Sequence, residues 1–431
     1  MNAAARATSA PARAAGPAGL PRLLAGVRGD GAATPLRNHV RRWGALPRVG
    51  SAELVAELEA AGLRGLGGAG FPTATKVAAV AAQRRSPVVV ANGAEGEAAS
   101  GKDKVLIRCV PHLVLDGASI AAAALGATEV IVAVGVGARA ELAAMRRAVA
   151  ERGQVRLDGV PLRVVAVPDT FVAGEETALV NVLNGGLPKP TFVPPRAFER
   201  GVRGRPTLVQ NVETLANLAL IARFGARWFR GVGTADEPGS VLVTISGAVE
   251  RVGVYEAARG TPLQNVLASA APAAPLSALL VGGYFGMWVA ASEISDLALL
   301  DRDFRPSGAS LGARGVVAFP AASCGVIETA RVARYLAAES AGQCGPCVHG
   351  LAAIAGALDA LARRKGCDEA QLSRRLALVD GRGACAHPDG AVRFVASARR
   401  VFAAEFELHA RGRCSGTGDR VLPLPSRPDG R

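Results

Sequence analysis

The chain has 431 residues, of which half are hydrophobic and 20% are charged, and its formal net charge is +14. This length allows two or three domains with sizeable cores, and the composition is typical of a folded protein rather than a disordered one. We predict no nucleic-acid partner, because the arginines that supply the charge are spread along the chain and do not alternate with aromatic residues.

The sequence predicts neither membrane insertion nor secretion. The most apolar stretch, 113–137, contains Asp116 and Glu129, so it lacks the roughly 18 uninterrupted apolar residues of a membrane-spanning helix. Residues 1–30 have no acidic residue before Asp30, as in transit peptides, but their prolines and the lack of an apolar run favour a disordered extension. We therefore expect a cytoplasmic location, in which the seven cysteines do not form a disulfide framework.

A glycine-rich stretch, GLRGLGGAGFPTATK at 62–76, precedes a helical pattern rich in alanine and valine. Glycine lets the backbone approach a ligand closely, and a helix N-terminus offers free N–H groups and a positive dipole end to an anion. Lys76 adds a full charge one turn into that helix. A plain turn would also use glycine, but the density of glycines together with Lys76 favours a phosphate-binding loop.

Strand-like and helical patterns then alternate along the chain. The strand-like runs are 87–91, 130–136 and 162–167, and the helical patterns are 112–125, 138–152 and 178–183. This alternation predicts a parallel sheet covered by helices. The first run ends at the polar turn 92–97, where ligand-binding loops lie in such sheets.

The rest of the chain predicts a long loop and two further units. Residues 185–206 are rich in proline and glycine and predict a loop over the site, and 206–224 predicts a helix with Asn211 and Thr214 near its start. A small β-grasp-like module is predicted from strand-like runs at 241–245, 252–255 and 279–281 around a helical pattern at 262–268. The last third is predicted to be helical, at 325–338, 351–364, 372–379 and 392–406.

Six motifs carry a resemblance to a known family. They are GLRGLGGAGFPTATK (62–76), ANGAEGEAASGKDK (91–104), FVAGEETALVNVLNG (171–185), RPTLVQNVETLANL (205–218), ESAGQCGPC (339–347) and GRGACAHPDGA (381–391). With these motifs in order, the chain resembles the NADH-binding flavoprotein subunit, the F subunit, of respiratory complex I and its relatives in soluble NADH dehydrogenases, hydrogenases and formate dehydrogenases. It is also similar to the C subunit of the Rnf electron-transport complex, which lacks the C-terminal cysteine arrangement.

The resemblance implies that flavin mononucleotide (FMN) binds at the glycine-rich loop and passes electrons from NADH to a [4Fe-4S] cluster. The positions that match flavin contacts of the family are Gly65, Gly67, Lys76, Asn92, Glu95, Gly174, Glu175, Asn211 and Thr214. Three positions match contacts to the nicotinamide nucleotide, namely Phe71, Glu97 and Glu176. As isolated residues, Phe71 would be a core side chain and the glutamates a solvated face; their place in matched motifs favours nucleotide binding.

Several positions depart from the family pattern. The replacements are Leu66 for an arginine, Ala74 for a glycine, Ala94 for an aspartate, Phe171 for a tyrosine, Gln210 for an asparagine, and Val193-Pro194-Pro195-Arg196 for a loop that carries a lysine and a phenylalanine. The last replacement removes a cation and an aromatic side chain from the nucleotide site that the resemblance implies. The electron donor is therefore predicted as NADH or another donor.

The cluster motif supplies three cysteines where the family has four, because Ala341 takes the fourth position. The cysteines are Cys344, Cys347 and Cys385. A [4Fe-4S] cluster normally takes four thiolates, and the substitutes considered are His349, His387 and Cys324. A zinc site that adds His387 to the three cysteines is a second alternative, and inert thiols are the third. Cys109, Cys367 and Cys414 are predicted to be structural or free thiols.

The sequence thus predicts a Rossmann-like α/β domain with a glycine-rich flavin loop, a small β-grasp module resembling an SLBB domain, and a C-terminal helical bundle with the cysteine cluster. The boundaries are a flexible extension at 1–48, the FMN- and nucleotide-binding domain at 49–235, the β-grasp module at 236–315, the helical domain at 316–410 and a loose tail at 411–431. The predicted function is electron transfer to a ferredoxin-like or other redox subunit, compatible with association with a membrane redox complex. The alternative is a non-catalytic binding or assembly subunit with degenerate sites.

Overall fold

The computed structural model describes residues 19–364 and 369–425. Its first domain is built on a parallel sheet whose strands are β1 (Val88–Gly93), β2 (Val130–Gly135), β3 (Leu162–Val167) and β4 (Thr207–Asn211). The strand order is β3-β2-β1-β4. Nearly every residue of β1 and β2 is buried, because helices cover both faces of the sheet. The side chains of these two strands are therefore apolar on both faces.

The helices of this domain surround the sheet. They are α1 (Leu36–Trp43), α2 (Ser51–Ala61), α3 (Thr73–Ala81), α4 (Lys102–Cys109), α5 (Pro111–Leu125), α6 (Arg139–Gln154), α7 (Glu176–Leu183), α8 (Val212–Phe224) and α9 (Ala226–Phe229). Helices α5 and α8 are almost wholly buried against each other and the sheet. They approach closely at Gly117, where a Cβ atom would lie 1.9 Å from the carbonyl oxygen of Leu215.

The strand order creates a switch point beside β1. The chain moves from β1 to β2 and β3 on one side and later returns to place β4 on the other side. Asn92 at the end of β1 is therefore the register partner of Asn211 at the end of β4. In open α/β sheets, ligands bind in the crevice at the carboxyl ends of the strands at such a point.

The prediction of a helix over 206–224 is wrong for 207–211, which form strand β4. The run Thr-Leu-Val-Gln has no strong local preference between helix and strand, and its parallel pairing with β1 decides the outcome. Helix α8 begins at Val212, and the side chain of Asn211 accepts a hydrogen bond from the N–H of Glu213. Asn211 is thus both the last strand residue and the helix cap.

The prediction of a flexible extension does not hold for residues 19–48, because this segment packs against the first domain and the second sheet. Leu23 is fully buried, and Trp43 at the end of α1 belongs to the core of the first domain. The carboxylate of Glu256 accepts hydrogen bonds from the N–H groups of Arg22, Leu23 and Leu24. Residues 1–18 lie outside the described residues.

A second sheet follows, with strands β5 (Ser240–Gly247), β6 (Gly253–Ala258), β7 (Leu276–Val281), β8 (Met287–Ala290) and β9 (Gly315–Pro320), and with helices α10 (Leu263–Ser269) and α11 (Asp301–Phe304). The order is β6-β5-β9-β7-β8, in which β5 and β9 are parallel and the other pairs are antiparallel. This mixed sheet is consistent with the predicted β-grasp module. Its central strand β9 extends beyond the predicted boundary at residue 315.

The C-terminal region is helical, as predicted. Its elements are α12 (Gly325–Ala338), a π-helical turn (Pro346–Leu351), α13 (Ala352–Ala362), α14 (Glu369–Val379), α15 (His387–Val401) and α16 (Ala403–Ala410). The described part of the predicted loose tail is packed, since Leu422 is buried and the hydroxyl of Tyr284 donates a hydrogen bond to the carbonyl of Pro423. Cys367 and residues 426–431 lie outside the described part of the chain.

Within 19–364 and 369–425, no single helix is both long and apolar enough to cross a membrane. Helices α4 and α5 reach the required length and composition only as a pair, and the chain bends by 93° between them. Residues 111–122 of α5 are all buried in the protein.

Candidate functional site

The glycine-rich loop folds back on itself before α3. Arg64 and Pro72 form an antiparallel bridge, and the N–H of Gly65 donates a hydrogen bond to the carbonyl of Phe71 at 2.8 Å. Between these ends, Gly68 has φ of +124° and Gly70 has φ of +62°. Residues that carry a Cβ atom rarely adopt such φ angles, so the loop requires glycine at both positions.

The loop lies on the switch point of the parallel sheet. The N–H of Leu66 donates a 2.8 Å hydrogen bond to the hydroxyl of Thr214 in the first turn of α8. A Cβ on Gly67 would lie only 3.1 Å from the Cβ of Asn211, so the backbone passes directly over the end of β4. The predicted residues Gly65, Gly67, Asn211 and Thr214 therefore come together.

The loops after β1 and before α7 form a second wall of this crevice. The side-chain amide of Asn92 donates a 2.9 Å hydrogen bond to the carbonyl of Gly174. A Cβ on Gly174 would lie 2.5 Å from the carbonyl oxygen of Ala94, and a Cβ on Gly96 would lie 2.7 Å from that of Phe171. The two loops are thus packed backbone against backbone, which explains the glycines of both motifs.

Two predicted flavin contacts, Glu95 and Glu175, act as helix caps in this structure. Glu95 accepts hydrogen bonds from the N–H groups of Asp103 and Lys104 at the start of α4. One oxygen of Glu175 accepts from the N–H groups of Thr177 and Ala178 at the start of α7. Both carboxylates stabilise a helix N-terminus and fix the loop that leads to it, and a direct flavin contact from either one stays a prediction.

Lys76 and Glu176 form an ion pair with 2.8 Å between Nζ and a carboxylate oxygen. Both side chains are partly exposed at the crevice, where such pairs contribute at most about 1 kcal/mol. A phosphate could therefore replace Glu176 as the partner of Lys76 at small cost. The structure brings together one residue predicted for FMN and one predicted for the nicotinamide nucleotide.

The two other residues predicted for the nucleotide differ in exposure. The side chain of Phe71 is 52% exposed on the outside of the glycine-rich loop, so it is not a core residue. Glu97 is partly buried and accepts hydrogen bonds from the N–H groups of Ala99 and Tyr284. Burial is the largest cause that raises the pKa of Glu97 to about 7, against the effect of these two N–H donors.

The residues of the crevice fit a phosphorylated cofactor. The hydroxyl of Thr73 in the first turn of α3 is buried and has no hydrogen-bond partner among the described residues. A buried hydroxyl costs free energy unless it is hydrogen-bonded, and a phosphate oxygen at this helix N-terminus would satisfy it. Lys76, one turn further along α3, supplies the positive charge that the same group requires.

The three predicted cluster ligands lie on segments that meet beside α12. Cys347 lies in the π-helical turn, Cys344 just precedes it, and Cys385 precedes α15. Burial is the largest cause that raises the pKa of the Cys347 thiol to about 11 and that raises the pKa of the Cys385 thiol. Burial raises the pKa of the Cys344 thiol, but the N–H groups of Ala384 and Cys347 outweigh it and lower that pKa overall.

Ala341 takes the sequence position of the fourth cluster cysteine, and its methyl group is buried. Of the predicted substitutes, Cys324 faces the ring of His409 instead. His387 interacts through Nε2 with the carbonyl of Leu336 at 2.7 Å, and its Nδ1 is buried without a hydrogen-bond partner among the described residues, so His387 stays a candidate for the fourth ligand. His349 is exposed. Among the described residues, the three cysteines and His387 do not gather their ligand atoms within the 4.8 Å expected around a single ion.

Comparison with known proteins decides the family. Residues 58–220 match the family model described as the Nuo51 FMN-binding domain, and 328–409 match the NADH-ubiquinone oxidoreductase-F iron-sulfur binding region. The NADH-quinone oxidoreductase F subunit 2 of Rhizobium meliloti (strain 1021) is 30% identical over 377 residues, which cover 84% of this chain and 89% of the relative. This chain belongs to the F-subunit family of NADH-quinone oxidoreductases. The corresponding F subunit of Salmonella typhimurium is 32% identical and is covered to 86%.

Solved structures agree with this assignment to the F-subunit family. A chain of the NAD⁺-reducing [NiFe]-hydrogenase in its H₂-reduced state has a TM-score of 0.76 and 30% sequence identity, and the match covers 84% of our chain. The air-oxidized state of such a hydrogenase gives a TM-score of 0.75. The chain spans 63% and 65% of these two hydrogenase chains. The predicted α/β fold, FMN-binding domain and iron–sulfur region are thereby confirmed, whereas the individual ligand residues remain predictions.

A buried ionic network, which was not predicted from the sequence, lies under the glycine-rich loop of this F-subunit relative. Nζ of Lys102 lies 2.6 Å from a carboxylate oxygen of Asp103 and 2.9 Å from one of Glu213. Asp103 in turn accepts a 2.6 Å hydrogen bond from Asn211, and Arg314 donates to the carbonyl of Leu66 at 2.7 Å. Lys102, Asp103 and Glu213 are charged residues within the matched motifs, which is the signal that could have drawn attention to them. Arg314 lies outside these motifs and gives no such signal.

The network is also electrostatically distinctive. Burial is the largest cause that raises the pKa of Asp103 to about 6, although Lys102 opposes it. Burial lowers the pKa of Lys102, but Asp103 and Glu213 more than compensate, so the net shift is upward. Lys102 thus stays charged and holds both carboxylates beside the loop. The carboxylate of Asp103 accepts a hydrogen bond from the amide of Asn211, and that of Glu213 accepts one from the N–H of Leu242.

Proposed function

We propose that this chain is an electron-transfer subunit that takes electrons from NADH or another donor at a bound FMN and passes them through an iron–sulfur centre to a partner redox subunit. The observation that carries the proposal is the position of the glycine-rich loop, which Leu66 joins to Thr214 directly over the paired ends of β1 and β4. The relatives carry the name of one subunit of an oxidoreductase, which supports action within a complex. The proposal includes the cytoplasmic location predicted from the sequence.

Each wall of the crevice has a role in this proposal. When bound, FMN supplies the exchange between two-electron and one-electron transfer. The first turn of α3, with Thr73 and Lys76, holds the phosphate, and the exposed ring of Phe71 stacks on the flat nicotinamide or flavin ring. Because its pKa is about 7, Glu97 changes between donor and acceptor of hydrogen bonds near neutral pH.

The surface beside the cysteines suits delivery of electrons to a partner. Cys347 is buried, but its neighbour Val348 is 51% exposed and His349 is exposed as well. A cluster at Cys344 and Cys347 therefore lies under a thin cover that a second redox protein could contact. We propose this cover as the docking surface of a ferredoxin-like or other redox subunit.

The second candidate function is a non-catalytic assembly subunit. It is favoured by Ala341, whose buried methyl group occupies the place of the fourth thiolate, and by Ala94, which provides no carboxylate in the turn after β1. The full-length protein, reconstituted anaerobically with FMN, iron and sulfide, separates the two candidates. Retained flavin and iron that are bleached by NADH, NADPH or reduced ferredoxin support electron transfer, and a protein that retains neither cofactor contradicts it.

Lys76→Ala should weaken FMN binding about tenfold, because a charge-assisted contact to phosphate is worth roughly 1.4 kcal/mol. The measurement is a fluorescence titration of FMN into protein stripped of flavin. Arg147→Ala, on the exposed face of α6, removes one positive charge away from the crevice and serves as control. Glu176→Gln removes the ion-pair partner of Lys76 but keeps Lys76, so it should leave the affinity for FMN unchanged or higher. Equal losses of FMN affinity in Lys76→Ala, Arg147→Ala and Glu176→Gln protein would contradict the role of Lys76.

Cys347→Ala should abolish iron incorporation, because a centre already short of one thiolate would keep only two cysteines. Iron is measured by mass spectrometry after anaerobic reconstitution, and FMN content is measured in the same sample. Cys109→Ala removes a buried thiol of α4 and is the matched control. Iron at the wild-type level in Cys347→Ala protein would show that the cysteines do not hold the centre.

A further inference from the structure

A second group of metal-binding side chains lies in the helical domain, apart from the three cluster cysteines. Cys324, Glu405, His409 and Cys414 place one ligand atom each within 4.8 Å of one another, and among the described residues this is the group of such side chains that fits a single ion. The four come from three places in the chain: the turn between β9 and α12, one face of α16, and the tail. From the sequence alone, Cys414 was predicted to be a structural or free thiol.

The distances between the ligand atoms match a tetrahedral zinc site. Sγ of Cys324 lies 3.2 Å from Nε2 of His409 and 3.6 Å from a carboxylate oxygen of Glu405, and that oxygen lies 3.3 Å from Nε2. Zinc bonds of about 2.3 Å to sulfur and about 2.0 to 2.1 Å to nitrogen or oxygen, at tetrahedral angles, separate such atoms by roughly 3.4 to 3.6 Å. The group is therefore already close to the size that the ion requires.

The ring of His409 is oriented for a metal. Its Nδ1 lies 3.0 Å from the carbonyl of Leu361, which can only accept a hydrogen bond, so Nδ1 carries the proton. The other nitrogen, Nε2, then presents a lone pair to Cys324 and Glu405. Metal-bound histidines commonly donate their second ring N–H to a carbonyl in this way, because the bond fixes the tautomer and the ring orientation.

Backbone contacts fix the position of Cys324 and of the tail that carries Cys414. Cys324 caps α12, where its sulfur accepts a hydrogen bond from the N–H of Ile327. The N–H of Cys324 donates to the carbonyl of Thr417, and a Cβ on Gly416 would lie 2.7 Å from that same nitrogen. The tail is thus pressed onto the start of α12, where Cys414 meets the other three side chains.

We propose that Cys324, Glu405, His409 and Cys414 bind one zinc ion in a structural site that fastens the tail to the helical domain. Two thiolates and an imidazole are the donors that zinc prefers, and the carboxylate completes a closed set of four without an open position. The ion would offset two of the three negative charges that the deprotonated ligands bring to a place where Cys324 and His409 are fully buried. The site is independent of the flavin and of the iron–sulfur centre.

The test is the zinc content of the full-length protein, purified without added metal and dialysed against a weak chelator. We expect about one zinc per chain in the wild type, a loss of nearly all of it in Cys414→Ser and His409→Ala, and no loss in Cys109→Ala or Cys347→Ala. X-ray absorption at the zinc edge of the wild type should show two sulfur and two nitrogen or oxygen neighbours. This readout keeps the proposal falsifiable if a variant fails to fold.

Four outcomes would overturn the site. They are wild-type protein without zinc, zinc that survives in folded Cys414→Ser protein, three sulfur neighbours in the absorption spectrum, and a disulfide between Cys324 and Cys414 in peptide maps. The three-sulfur result would place zinc at Cys344, Cys347 and Cys385 instead. Cys347→Ala, which loses iron but keeps zinc in our expectation, distinguishes a failure of this inference from a failure of the proposed function.

Discussion

Glu97 links the turn after β1 to the second sheet through its hydrogen bond from the N–H of Tyr284. Its pKa of about 7 in the folded protein is above the value of 4.5 expected for the unfolded chain. The folded protein therefore binds more protons than the unfolded chain between these two pH values. By linkage, this carboxyl group stabilises the fold below about pH 4.5, and its contribution declines as the pH rises to about 7.

Glu97→Gln should remove this decline, because a glutamine does not titrate. The free energy of unfolding of the variant, relative to the wild type, should increase between pH 4.5 and 8 by at most about 3 kcal/mol, since one pKa unit corresponds to about 1.4 kcal/mol. Urea unfolding at several pH values measures it. Glu250→Gln, on an exposed carboxyl group, is the control, and parallel pH profiles for Glu97→Gln and the wild type would contradict the assignment.

Many residues of the site were predicted from the sequence, but not all of their roles could be assigned. The motifs predicted that Glu95 and Glu175 lie at the crevice, and the structure places both there as helix caps. Lys102 was missed because a lysine in a polar turn is usually solvated, and only the three-dimensional fold shows that Asp103 and Glu213 surround it. Roles that depend on partners distant in sequence cannot be read from a local pattern.

At the scale of elements, the packing of α5 against α8 depends on a glycine, Gly117, which has no side chain at the helix crossing. Gly117→Ala should destabilise the protein by about 3 kcal/mol, because its Cβ would collide with the carbonyl of Leu215 and force two buried helices apart. The measurement is the midpoint of urea unfolding followed by circular dichroism. Gly153→Ala is the matched control in α6, since a Cβ there meets nothing within 4 Å.

The control variant should be neutral or stabilised by up to about 1 kcal/mol, because alanine favours a helix more than glycine does. Equal unfolding midpoints for Gly117→Ala and the wild type would show that the two helices separate without cost. Loss of stability in Gly153→Ala as well would indicate a general effect of the substitution rather than a collision at the helix crossing.

Most strands and helices of the parallel domain were predicted well, and the short edge strand β4 was not. Strand β3 and helix α12 have the predicted bounds. β3 is a short apolar run bounded by Pro161 and Pro168, and α12 has apolar residues at helical spacing. Strand β4 was predicted as helix, since five residues next to a long helical pattern carry little local information. Its identity comes from parallel pairing with β1, over a hundred residues earlier in the chain.

At the scale of the whole molecule, residues 19–48 join the parallel domain to the second sheet. Glu256 of β6 accepts three backbone hydrogen bonds from the segment that begins at Arg22, and the guanidinium of Arg22 lies 4.0 Å from the ring centre of Trp228. The prediction of a flexible extension overlooked this contact because the segment is rich in small residues and arginine and has weak periodicity.

Glu256→Gln should destabilise the protein by about 2 kcal/mol, because an amide NH₂ group replaces one oxygen that accepts buried N–H groups. The measurement is limited proteolysis of the segment together with the unfolding midpoint in urea. An exposed carboxyl group is changed in the control, Glu250→Gln. If the cleavage rate at residues 19–48 does not rise in Glu256→Gln protein, this carboxylate does not hold the segment.

Leu66 is bonded on three sides: its N–H to Thr214 of α8, its carbonyl to Arg314 before β9, and its side chain to the core of the second sheet. Any hinge movement between the two sheets would pull this residue away from one of its anchors. Movement of one sheet relative to the other would therefore break at least one contact of Leu66. The exchange of its amide hydrogen, which is bonded to Thr214, should report that movement.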